Sequence, residues 1–128
     1  ETQARLEQSS LRKILLKGAS KAKCAVCGNE FPEQFLVAAH IKKRANCTDE
    51  EKRDLHNIAC LMCKFGCDDL YERGAIGVAG GTVVILKNFD AYPEVSTYLE
   101  KLRGQTCSVW NESNRNYFEW HHSQHQKA

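Results

Sequence analysis

The chain has 128 residues, 42% hydrophobic and 27% charged, with 18 Lys/Arg against 16 Asp/Glu and a formal net charge of +2. That length fits one domain with a modest core, and no stretch is long or apolar enough to span a membrane. Seven cysteines are an odd number, which argues against a closed disulfide framework and for a reducing, cytoplasmic setting.

Residues 1–18 predict a helix, with Leu6, Leu11, Ile14, Leu15 and Leu16 as its apolar members and Gly18 as its stop. Residues 24–28 predict a knuckle turn. The apolar run 35–39 predicts a strand leading into His40. Thr48 and Glu51 have the spacing of a capping box and predict a helix start. Residues 67–73 predict a short helix closed by Gly74. Residues 75–78 and 82–86 predict two strands joined through Gly80-Gly81. Residues 93–102 and 116–126 predict two further helices. The chain shows no internal repeat or linker, so residues 1–128 read as one α+β domain. It does not begin with Met, so it is expected to be a domain excised from a longer protein.

Charge is uneven along this order. Residues 1–44 carry nine Lys/Arg against four Asp/Glu, and residues 45–75 carry four against seven. A basic segment followed by an acidic one suits a phosphate-binding surface beside a cation site, and it also suits an ordinary solvated surface.

The cysteines carry the strongest chemical signal. Cys24-x2-Cys27 and Cys63-x3-Cys67 are two close pairs on distant segments, the arrangement that closes a tetrahedral zinc site. Cys60 and Cys63 also form a Cys-x2-Cys pair, which leaves the second register ambiguous. Cys63 with Cys67 is preferred, because Gly66 permits a tight turn and Cys67 opens a helix. Cys47 and Cys107 read as non-ligands. Between the pairs, His40 precedes the basic triplet Lys42-Lys43-Arg44 and is a candidate general base, since a neutral imidazole accepts a proton at physiological pH. Asp68 or Asp69 offers carboxylate oxygen to Mg²⁺, or else simply complements a helix N-terminus. Tyr117 and Trp120 read as core residues. His121, His122 and His125 read as a solvated tail without a metal site.

Taken in order, Cys24-x2-Cys27, Ala38-Ala39-His40-Ile41, Asn57, Cys63-x3-Cys67-Asp68 and Leu70-Tyr71-Glu72-Arg73-Gly74-Ala75-Ile76 resemble the HNH endonucleases with a ββα-metal finger, over about residues 24–78. The segment Arg5-Leu6-Glu7-Gln8-Ser9-Ser10-Leu11-Arg12 resembles the helix before the finger in HNH domains of bacterial restriction and defence proteins. Tyr117-Phe118-Glu119-Trp120-His121 resembles their closing helix.

The resemblance implies a zinc-stapled ββα-metal finger with flanking helices, and a DNA endonuclease serving as effector of a restriction or phage-defence protein. His40 matches the water-activating histidine. Asn57 matches the motif asparagine, which orients the loop or reaches the metal. Asp68 stands where the final histidine of the motif lies and would hold Mg²⁺ or another divalent cation, with Asp69, Glu72 or water as further sources of ligation. Cys24, Cys27, Cys63 and Cys67 match the structural zinc ligands. Lys42, Lys43 and Arg44 would hold the DNA backbone without reading bases, and specificity would come from a fused sensor domain. The alternative is a non-catalytic zinc-stapled module that binds DNA or a protein partner.

Overall fold

In the computed structural model, residues 2–126 are described. Glu1, within the predicted first helix, and the last two residues of the predicted domain lie outside them. The described residues form a small α+β domain of five α-helices and three two-stranded antiparallel sheets. No helix among them is long and apolar enough to cross a membrane.

The first helix, α1 (Thr2–Leu16), buries Leu11 and Leu16 and leaves Leu6 exposed. It ends through positive φ angles at Lys17 and Gly18, the left-handed exit that glycine adopts at no steric cost. A short hairpin follows, β1 (Lys21–Lys23) with β2 (Glu30–Pro32), and residues 24–29 form its tip. After one 3-10 turn at Glu33–Phe35 comes β3 (Leu36–His40), one residue later than the apolar run suggested. It pairs with β4 (Ala59–Cys63), so that Leu36 faces Cys63 and His40 faces Ala59. Every residue of β4 is buried, which leaves no alternation to mark it as a strand.

Between these strands the Thr48 cap forms as predicted. The Glu51 amide donates to Thr48 Oγ1 at 3.1 Å and the Thr48 amide donates to Glu51 Oε1 at 2.9 Å, opening α2 (Asp49–Lys52). Helix α3 (Cys67–Glu72) leads through Gly74 into β5 (Ile76–Ala79), which turns at Gly80-Gly81 into β6 (Thr82–Ile85). Both turn glycines have positive φ, as a two-residue hairpin loop of this hand requires. Helix α4 (Pro93–Leu102) and the last helix, α5 (Arg115–His125), complete the chain.

Phe118 of α5 is fully buried among Leu36, Met62, Tyr71, Ile76 and Val78, which belong to β3, β4, α3 and β5. Full burial of such side chains contributes about 1.5–3 kcal/mol each before the entropy of ordering is subtracted. Tyr71 bolts this core to its surroundings. Its hydroxyl donates to the Ile41 carbonyl at 2.8 Å, and its ring stacks on His121 at 3.7 Å between centroids.

Helix α1 docks on β3 through polar side chains. Gln8 Nε2 donates to the Ala38 carbonyl at 3.1 Å, and the Ala38 amide donates to Gln8 Oε1 at 2.6 Å. One turn on, Arg12 reaches the Leu36 carbonyl at 3.5 Å. Four helical residues advance about 6 Å and two strand residues about 6.6 Å, so the two repeats match.

Candidate metal centre and active-site cleft

Cys24, Cys27, Cys63 and Cys67 converge, with their sulfurs all within 4.8 Å of one another. Zn–S bonds of 2.3 Å at tetrahedral angles separate sulfurs by about 3.8 Å, so this cluster could hold a zinc ion. Two local structures aim the thiols. In the hairpin tip, the Gly28 amide donates to the Cys24 carbonyl at 3.0 Å, and Gly28 takes a positive φ of 76°. The second pair sits across the turn between β4 and α3, where Gly66 lies under the Tyr98 ring. A Cβ there would lie 2.7 Å from the Tyr98 hydroxyl.

The amides of Val26 and Cys63 both donate to Cys24 Sγ at 3.4 Å, and the Tyr98 hydroxyl lies 3.7 Å from Cys67 Sγ. Such contacts orient and tune sulfur ligands. The four thiols compete for protons. Cys63 is held well below an ordinary thiol, chiefly by the hydrogen bonds it receives from Cys24 and Cys67. Cys24 is pushed up chiefly by its bond to Cys63, and Cys67 by its bonds to Cys24 and then Cys63. A divalent cation ends that competition, because coordinated thiols deprotonate outright.

The ambiguity over Cys60 is settled by this geometry. Cys60 lies in β4, is buried in the main core and is outside the converging group. Cys107 is likewise a core residue. Cys47 is half-buried and points its sulfur at the carbonyls of Lys42 and Lys43, at 3.5 and 3.4 Å.

A second concavity, of about 640 Å³, opens between β3, α3 and α5. His40 lines it from the end of β3, Asp68 and Glu72 from α3, Lys43 and Arg44 from the following loop, and Trp120, His121 and His125 from α5. His40 is half-buried, and its pKa is lowered by burial and further by Arg44, with Glu7 pulling the other way. It is therefore neutral near physiological pH. The Asp68 carboxyl is pushed up to about 6, first by burial and then by the neighbouring Glu72 and Asp69.

The other predicted site residues fall less uniformly. Lys42 is outside the cleft lining: its ammonium bonds both Glu51 oxygens, at 2.9 and 3.1 Å, and sits 5.7 Å from the Trp120 ring centroid. Arg44 lines the cleft while gripping Glu7 with two nitrogens, at 2.9 and 3.0 Å. Asn57 is also outside the lining. Its amide donates to Asp54 Oδ1 at 2.9 Å, and the other Asp54 oxygen accepts from the Tyr117 hydroxyl at 2.7 Å. Asn57 thus orders the loop before β4. Asp69 is drawn away by an exposed pair with Arg73 at 2.6 Å, whereas Glu72 shares the cleft with Asp68.

The expected solvated histidine tail is corrected. His121 is buried, its Nε2 lies 3.0 Å from the Ile76 carbonyl, and burial lowers its pKa to about 4. The neutral ring therefore donates from Nε2. His125 packs where a Cβ on Gly74 would stand. Helical spacing alone could have paired His121 with His125 on one face; nothing in the sequence said that the face was covered. Among the described residues, no group of three or more His, Asp or Glu ligands converges in the cleft as the cysteines do. No protein-family model and no curated protein matches the chain.

Proposed function

We propose that this chain is a metal-dependent DNA endonuclease domain of the HNH type. The observation that carries the reading is the sharing of one cleft by His40, Asp68 and Lys43, beside a four-cysteine cluster, from the β1–β2 hairpin tip and the β4–α3 turn, that could hold zinc. The antiparallel pairing of β3 with β4 across α2, followed by α3, is compatible with a ββα-metal finger. The effector role in restriction or phage defence, and a fused sensor domain, extend the same reading.

In this reading His40 takes the proton of the attacking water at a ring nitrogen, which its burial keeps unprotonated. Lys43 and Arg44 hold the non-bridging phosphate oxygens and position the backbone without reading bases. Asn57 acts at one remove by ordering the loop before β4. Asp68, with Glu72 on the same wall, offers the hard oxygen donors that Mg²⁺ takes, and Mg²⁺ needs only one or two carboxylates beside water and phosphate. When bound, a divalent cation supplies charge neutralisation at the scissile phosphate.

Incubation of supercoiled plasmid with the protein in Mg²⁺, Mn²⁺ or EDTA tests the proposal. Nicking in metal, its absence in EDTA and its loss in His40→Ala are expected. An intact plasmid in every metal would sink the reading. It would favour the second one, a non-catalytic zinc-stapled DNA-binding module.

A further inference from the structure

We propose that the cleft takes one unstacked nucleotide, so that the substrate is single-stranded or locally unpaired DNA rather than continuous duplex; this rests on the nuclease reading of the same site. Contacts to backbone phosphates ask only for a charged surface, because phosphates lie on the outside of a duplex. The concavity here is of another kind. Its volume of about 640 Å³ is in the range of pockets that enclose a small organic ligand.

Its walls also divide by chemistry. Val37 of β3, Ala45 of the loop after it and the Trp120 indole supply apolar surface, while His40, Lys43 and Asp68 supply polar groups. A nucleotide divides in the same way, into a flat base and a charged phosphate. Lys43 and His40 suit the phosphate. Trp120, half-buried on the α5 wall, suits the base, since an aromatic ring stacks on any base without reading its sequence. A paired base inside a duplex cannot enter such a space. It must first be extruded, which is easiest where it is already unpaired.

The test is direct binding in EDTA, where no cleavage interferes. Fluorescence anisotropy would compare a labelled single strand, the same sequence as perfect duplex, and a duplex with one unpaired nucleotide. The parent protein is expected to bind the single strand and the bulged duplex at least about ten-fold more tightly than the perfect duplex. Trp120→Ala should lose about ten-fold on the single strand, within the range measured for removing one stacking ring, and Trp120→Phe should retain most of the affinity. In a Trp110→Phe background, Trp120 fluorescence should be quenched by the single strand.

Equal or tighter binding of perfect duplex overturns the proposal, and this ranking needs no variant that has to fold. Unchanged single-strand affinity in a folded Trp120→Ala protein overturns it too. Preferential single-strand binding with no cleavage in Mg²⁺ or Mn²⁺ supports the pocket and removes the nuclease. Cleavage with no preference for unpaired DNA removes the pocket and keeps the nuclease.

Discussion

The four-cysteine cluster and the His40 cleft differ in how the chain builds them. The cluster draws on two tight turns, each supplying two ligands of one chemical type within three or four residues. The cleft draws residues of several chemical types from four separate elements, β3, the loop after it, α3 and α5. A site made of local pairs survives translation into sequence spacing. A site made of isolated contributors depends on the packing of whole elements, and the sequence records only some of them.

The largest effect that would sharpen this contrast is loss of the metal centre. Apparent zinc binding in small folded sites is about 10–16 kcal/mol, comparable to the whole stability of a domain. Cys24→Ser or Cys67→Ser should therefore unfold the protein, read as loss of bound zinc and of the cooperative melt by circular dichroism. Cys60→Ala should keep about one zinc per chain. Full zinc retention in Cys67→Ser would return the register to Cys60.

On the cleft side, His40→Ala should lower nicking by about two to four decades, the span of a general base, with an unchanged melting temperature. A large drop in melting temperature would instead make His40 a packing residue. The wild-type profile should rise with pH through a pKa below the usual histidine value and stay level above it, because burial and Arg44 favour the neutral ring.

A smaller, pH-dependent effect comes from His121. Its folded pKa of about 4 lies below the ordinary 6.5, so the unfolded chain binds the extra proton first. The stability from keeping this ring neutral is complete above about pH 6.5, declines as pH falls towards 4, and amounts to on the order of 3 kcal/mol. Urea melts between pH 7 and 4 should show this slope, and His121→Phe should flatten it. An equal slope in that variant would assign the titration elsewhere.

Gln8→Ala should cost about 1–2 kcal/mol, the usual loss for two hydrogen bonds whose backbone partners become orphaned, measured by thermal melting. The smallest change is expected from Asp69→Ala, which removes only an exposed pair with Arg73. Its melt and its nicking should match the parent, while Asp68→Ala should lose nicking and keep zinc. Reversal of those two activities would move the cation ligand by one residue.

Much of the fold was legible because its signals are local. Gly80-Gly81 marked the β5–β6 turn, Thr48 with Glu51 marked α2, and Gly18 marked the end of α1. Three strands escaped. Strand β4 is buried on both faces, so its sequence has no alternation, and its cysteines carry a ligand spacing rather than a strand pattern. Strands β1 and β2 are three residues each, too short for periodicity to register. In the cleft, His40 and Asp68 were legible from their places beside the cysteine pairs. Glu72 reads from sequence only as an alternative ligand. Trp120 reads from sequence as core and His125 as a solvated tail, because their place in the cleft depends on α5 lying across β5. The triplet Lys42-Lys43-Arg44 looked uniform, yet Glu51 and Glu7 engage two of its members.

The pairing of Gln8 with Ala38 has a consequence for how this domain behaves when cut. Strand β3 has β4 on one side only, and Gln8 occupies the Ala38 amide and carbonyl on the other. A carboxamide side chain there imitates the neighbouring peptide group that a further strand would bring. It keeps an apolar strand from recruiting another chain, the hazard of any bare sheet edge. A fragment beginning after Gly18 would keep all four zinc-site cysteines and His40, yet would present that edge to every other copy in solution. Such a fragment is expected to self-associate, and shortening from the N-terminal side would convert a fold with this edge covered into a sticky one without touching its chemistry.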